Sequence, residues 1–169
     1  MTSNLNYKSF FREEEDRQFW GNQGAGALIV AKDTGKLLLG LRSPHVNEPG
    51  TWNLIGGAID EDEDPRDAAK REVWEETGYD GPSKLSLLYT FKHRDFRYYN
   101  FLMLVPSQNE VNPVRNWEHS AFEWVEFGDW PTPLHFGLNN VLKHAGSKIQ
   151  HVIELIKKKK TDEPGNRNN

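Results

Sequence analysis

Apolar residues along the chain come in short runs that change period several times. From Ala25 to Ala31 the run is unbroken, as in a strand covered on both faces. Asp33-Thr34-Gly35-Lys36 supplies turn chemistry, and Leu37 to Arg42 reads as the return strand of a hairpin. Thr51 to Ile55 is a further short strand carrying Trp52, and it leads straight into Gly56-Gly57. Farther on, Leu85, Leu87, Tyr89 and Phe91 alternate with Ser86, Leu88, Thr90 and Lys92, a half-buried strand with a period of two. After His93-Arg94-Asp95, the residues Phe96 to Val105 form another strand with Phe101 to Leu104 in its buried part, then Pro106 to Arg115 is a loop and Glu123 to Phe127 a last strand.

The period becomes helical twice. Leu138, Val141, Leu142, Ala145, Ile149, Val152, Ile153 and Ile156 predict a closing helix from Phe136 to Ile156 that covers one face of a sheet. The other helix lies between Asp64 and Gly78. Asp64 suits the N-cap, Pro65 the first turn, Asp67 the capping-box position and Gly78 the left-handed residue past the end. Ala69 and Val73 would form its buried side, and small Ala68 leaves room beside the acidic face. This order of elements predicts one domain over residues 24–158. Residues 1–23 are a lead-in whose Phe10-Phe11 and Phe19-Trp20 would pack on the domain or on a second subunit, so a homodimer stays open. Residues 159–169 are expected to be a disordered polar tail, with Lys157 to Lys160 complementing the negative pole of the helix.

A chain of 169 residues is long enough for one real core. A net charge of −4 argues against binding DNA through bulk charge. The absence of cysteine rules out disulfides and thiolate chemistry and fits a reducing compartment. No apolar run approaches the roughly 20 residues of a membrane span, and the polar start has no signal-peptide core. Together these features predict a cytoplasmic protein without a membrane partner.

One cluster changes the picture. Glu72, Glu75 and Glu76 stand at i, i+3 and i+4, which crowds three carboxylates onto one helical face. Like charges so placed cost a helix roughly 0.2–0.5 kcal/mol per pair, and a cation is the natural compensation. Hard oxygen ligands, with no cysteine and no clustered histidine in the sequence, favour Mg²⁺ or Mn²⁺ over zinc.

The cluster sits in a longer pattern: Gly57, five residues, Glu63, seven residues, then Arg71-Glu72-Val73-Trp74-Glu75-Glu76-Thr77-Gly78-Tyr79. This resembles the Nudix box of the Nudix hydrolases, with every defining position filled, Val73 and Tyr79 included. The resemblance implies an α/β fold, an α/β/α sandwich with a mixed sheet in a single domain. It also implies Mg²⁺-dependent hydrolysis, with Mn²⁺ a substitute, of a phosphoanhydride bond in a nucleoside diphosphate linked to another moiety: a nucleotide triphosphate, a nucleotide sugar or ADP-ribose. Carried over by position, Glu72 and Glu76 are metal ligands and catalytic residues, and Glu75 is a ligand or a participant in water activation. The backbone carbonyl of Gly56 is a further ligand, and the Glu63–Arg71 ion pair ties loop to helix and orients the carboxylates. By similarity to the region after the box, Glu118, six residues before Trp124, is a ligand from outside it. The general base is Glu72 or Glu75, with Glu118 as the outside contender. Ile55 stands where many relatives carry proline, a departure that touches loop stiffness more than chemistry.

On the substrate side, Arg42 leaves its strand close to this site and matches phosphate geometry, while Tyr98, Tyr99 and Phe96 are candidates to stack on a base. Lone His45 in the loop before the box is not counted among the site residues. The partner is a nucleotide or a nucleoside-diphosphate-linked small molecule; capped or triphosphorylated RNA stays open. The alternative is a catalytically inactive Nudix-fold nucleotide-binding module, against which the intact acids speak. Isomerisation of an isoprenoid diphosphate would need additional acid/base groups, commonly including cysteine. The extended signatures for coenzyme A and reduced nicotinamide dinucleotides are not found.

Overall fold

Strand β1 (Gly24–Ala31) is the axis on which the sheet is built, and all eight of its residues are buried. The computed structural model describes residues 23–162, so the expectations for the aromatic lead-in and the end of the tail lie outside the described residues. The other strands are β2 (Leu37–Arg42), β3 (Trp52–Asn53), β4 (Ile55–Ala58), β5 (Lys84–His93), β6 (Phe96–Val105) and β7 (His119–Val125). Among the described residues the α-helices are α1 (Pro65–Thr77) and α2 (Phe136–Asp162). Together the strands make one mixed sheet: β1 runs parallel to β6 over its whole length and antiparallel to β2 and β4.

Side chains alternate across β1 and β2, and each face takes one helix. Ala27, Ile29 and Leu38 join Met103 and Val73 of α1 on one side. Leu28, Val30, Leu37 and Leu39 join Leu138, Val141, Ile149 and Ile153 of α2 on the other. The result is the α/β/α sandwich with a mixed sheet that the resemblance implies. Among the described residues, no helix is long and apolar enough to cross a membrane.

Where the elements depart from the sequence pattern, the cause is pairing with distant residues. The single strand expected over Thr51 to Ile55 is two: β3 pairs with Gly40 and Leu41 of β2, and after Leu54 the chain crosses to β1, where Gly56 sits opposite Gly26. In β5 the register against β6 shifts between Leu87 and Tyr89, so the simple alternation fails there. Leu87 is thereby exposed while Leu88 and Tyr89 pack on the α2 side. β7 starts earlier than expected because it follows β2 from Leu37 to Arg42. Helix α2 carries on through Lys159, Lys160, Thr161 and Asp162, which the sequence pattern assigns to the tail. Lysine is a good helix former, and two lysines find anchors: Lys157 Nζ meets Glu126 at 2.7 Å and Lys160 reaches the backbone carbonyl of Asp33.

Candidate active site

Local chemistry sets the rotation of α1. Asp64 Oδ1 accepts from the Arg66 N–H at 2.8 Å, and Gly78, with φ 73°, donates its N–H to Trp74 O. Arg66 lies 5.3 Å over the Phe101 ring and donates to Leu85 O, while Ala68, Ala69 and Val73 are buried. So oriented, the helix turns Glu72 and Glu76 inward, 9% and 7% exposed, and leaves the Glu75 side chain 47% exposed at the rim. The Glu72 carboxylate rests on Gly57, where a Cβ would stand 2.6 Å from Oε1.

Arg71 ties the box together. Its Nε and Nη2 grip Glu63 in a two-pronged pair at 2.9 and 3.0 Å, and Nη2 also donates to Ala58 O at 2.9 Å. Nη1 reaches Glu72 Oε1 at 3.0 Å and Glu75 Oε2 at 3.3 Å. The hydrogen bonds from Arg71 hold the Glu63 carboxyl below its ordinary range and raise the guanidinium above its own. Glu72 moves the other way: burial raises it, against the pull of Arg71.

Glu76 faces a different set of groups. Asn116 Oδ1 accepts from the backbone N–H of both Glu118 and His119, at 2.9 and 2.8 Å, and this turn delivers the two residues to the inner side of α1. Ligand atoms of Glu76, Glu118 and His119 all lie within 4.8 Å of one another, with His119 Nδ1 3.4 Å from Glu76 Oε2. Burial pushes the Glu76 carboxyl up to about 9, and the charges of Glu118 and Glu72 add to the effect. Among the described residues no hydrogen-bond donor satisfies either Glu76 oxygen, and a proton shared with Glu118 or a bound cation would relieve that contact. Burial, with the charge of Arg42, pushes His119 down to about 4, so its ring is neutral.

Beside these carboxylates, on the α2 face, lies a cleft of about 230 Å³. Arg42, Gly56, Gly57 and Tyr98 line it together with Asn53, Asn100 and the rings of Phe91, Phe96 and Phe136. Arg42 is held by a 2.6 Å bond from Nε to Asn47 O, and its charge reaches Glu76 and Glu118. The Tyr98 hydroxyl lies where a Cβ on Gly56 would stand, 2.4 Å away, and burial near Glu76 and Glu72 keeps the phenol protonated. Tyr99 follows on the same strand and therefore points to the opposite face, where it packs by Ala25, Ala68, Ala69 and Phe101. The structure separates it from the cleft, against the sequence expectation. His45 is exposed. His135 is buried at the cleft, with Nδ1 accepting from Gly137 N at 3.0 Å and Nε2 3.2 Å from Glu48.

The NUDIX domain family matches residues 22–145 of this sequence. The chain belongs to that family. Dihydroneopterin triphosphate diphosphatase of Haemophilus influenzae is 29% identical over 124 residues, covering 64% of this chain and 76% of that one. RNA pyrophosphohydrolase of Sphingopyxis alaskensis is 30% identical over 125 residues, covering 62% and 77%. Among solved structures, a MutT NUDIX hydrolase from Burkholderia pseudomallei superposes with a TM-score of 0.60 at 30% identity, over 73% of this chain and 96% of that one. The chain is a Nudix hydrolase, an enzyme of the class that cleaves pyrophosphate bonds in nucleotide-like substrates.

In this Nudix site the structure divides the expected carboxylates. Glu72 and Glu75 share Arg71, whereas Glu76 joins Glu118. The donor set fits a divalent cation, since among the described residues the buried Glu76 oxygens and His119 Nδ1 have no hydrogen-bond partner. Sequence reasoning missed His119 and the cleft residues Asn53, Phe91 and Phe136. For His119 the one available signal was adjacency to Glu118; the others come from elements that meet only in the fold.

Proposed function

We propose that this Nudix hydrolase uses Mg²⁺, with Mn²⁺ able to substitute, to cleave the phosphoanhydride bond of a nucleoside diphosphate linked to another moiety. The observation that carries the reading is the buried Glu76 carboxylate, which has a ligand atom within 4.8 Å of one of Glu118 and, among the described residues, no hydrogen-bond partner on either oxygen. Glu72, Glu76, Glu118 and the Gly56 carbonyl are the groups assigned to hold the cation, which when bound would neutralise phosphate oxygens and lower the pKa of a water. Arg71 keeps Glu72 in place while its grip on Glu63 locks the loop to the helix. Glu75, the carboxylate with solvent access, is assigned as the base that takes the proton of the attacking water. Arg42 pairs with a phosphate, and the base of the substrate lies among Tyr98, Phe96, Phe91 and Phe136. Tyr99 has no place in this set. The domain over residues 24–158 and a cytoplasmic setting are part of the same reading.

The test is turnover with Mg²⁺ or Mn²⁺ across normal and oxidised nucleotide triphosphates, ADP-ribose, nucleotide sugars, dinucleoside polyphosphates and triphosphorylated RNA. Glu76→Gln is expected to lower hydrolysis of the best substrate by roughly two orders of magnitude or more without changing the circular dichroism spectrum. Near-normal turnover of that variant would overturn the assignment.

A further inference from the structure

We propose that His119 Nδ1 is a direct ligand of the divalent ion held by Glu76 and Glu118, giving this centre a nitrogen donor that raises its affinity for Mn²⁺ and Co²⁺ relative to its affinity for Mg²⁺. The inference rests on the metal-dependent reading above and adds a ligand from outside the box.

Geometry is the first argument. Two ligand atoms each about 2.1 Å from one ion lie about 3.0 Å apart in an octahedral arrangement and about 3.4 Å apart in a tetrahedral one. His119 Nδ1 and Glu76 Oε2 are 3.4 Å apart. That separation is long for an N–H···O bond, whose usual range ends near ~3.2 Å. Among the described residues neither atom gains a hydrogen-bond partner elsewhere, although the two residues are only 4% and 7% exposed. A cation between them satisfies both at once.

Second, the imidazole is built into its place. It packs over Gly40, where a Cβ would stand 2.4 Å from Cδ2 and 2.8 Å from Nε2, so any larger residue at position 40 would displace the ring. Phe122 covers it at 5.0 Å between centroids, and the backbone is fixed by the bond to Asn116 and the register with Arg42. A ring so confined keeps Nδ1 aimed at the carboxylates. A nitrogen donor adds affinity along the Irving–Williams order, in which Co²⁺ stands above Mn²⁺, whereas Mg²⁺ takes oxygen ligands and retains its waters, which sets the direction of the shift.

The experiment is pulsed electron paramagnetic resonance of the full chain loaded with Mn²⁺ in a nitrogen-free buffer, with calorimetric titrations of Mn²⁺ and Mg²⁺. Nitrogen modulation is expected on the Mn²⁺ signal of the wild type and is expected to change when the histidines carry the heavy nitrogen isotope. In His119→Gln it should vanish, and the ratio of Mn²⁺ to Mg²⁺ affinity should fall by roughly tenfold or more. Bound Mn²⁺ without nitrogen modulation in the wild type, which needs no variant to fold, overturns the proposal and leaves the hydrolase reading intact. Modulation that persists in His119→Gln overturns it as well. Failure of the wild type to bind either ion would overturn both readings.

Discussion

At the scale of single residues, protonation and metal binding compete for Glu76. Its carboxyl, raised to about 9 in the metal-free fold from 4.5, holds a proton that the unfolded chain releases. Below the unfolded value this contribution to stability is complete, and it is lost as pH rises through the folded value. His119 and His135, lowered to about 4 and about 3 chiefly by burial, have the opposite sign: their contribution is present above 6.5 and lost as pH falls. In the range from pH 6.5 to 9 the two histidines add nothing further, and the pH dependence falls to Glu76 together with Glu72, whose carboxyl burial also raises. With a chelator present, Tm is expected to fall across that range; excess Mg²⁺ should flatten the curve, and Glu76→Gln should flatten it without metal. A steep fall that survives in Glu76→Gln would assign it to another group.

Within the elements, the paired glycines of β4 do two different jobs. A methyl on Gly56 would stand 2.4 Å from Gly26 Cα and 2.5 Å from Ala25 O, both backbone atoms of the central strand. The nearest atoms to a methyl on Gly57 would be those of the Glu72 carboxylate, at 2.6–2.7 Å, the far end of a flexible side chain. Gly56→Ala is accordingly expected to lower Tm sharply. Gly57→Ala should leave Tm within a few degrees while cutting kcat/KM by about tenfold or more through a misplaced ligand. Equal thermal losses in the two variants would contradict this division. The acidic face of α1 is divided in a similar way, because packing of Ala68, Ala69 and Val73 turns Glu72 and Glu76 toward the sheet and Glu75 toward the rim.

Across the whole molecule, the cleft exists because the start of α2 meets β5, β6 and the β3–β4 crossing. Phe136 reaches Phe91 with centroids 6.1 Å apart, although 45 positions separate them in the chain, from 91 to 136. Phe136→Leu keeps an apolar side chain and removes the ring, so KM for the nucleotide substrate is expected to rise by roughly tenfold, the scale of one base stack, with kcat little changed. A fall in kcat at constant KM would remove the ring from base binding. What could be read directly from residues was local: the bounds of β2 and β6, the cap at Asp64, the stop at Gly78 and the spacing of Glu63, Arg71, Glu72 and Glu76. Those features depend on backbone preferences and on short-range periodicity, which a linear chain displays. The splitting of the strand at Leu54, the shifted register of β5, the exclusion of Tyr99 from the cleft and the meeting of His119 with Glu76 were decided only by the tertiary structure. Each depends on which distant backbone supplies the hydrogen bonds or covers the side chain, and that choice arises when the sheet and helices close around one core.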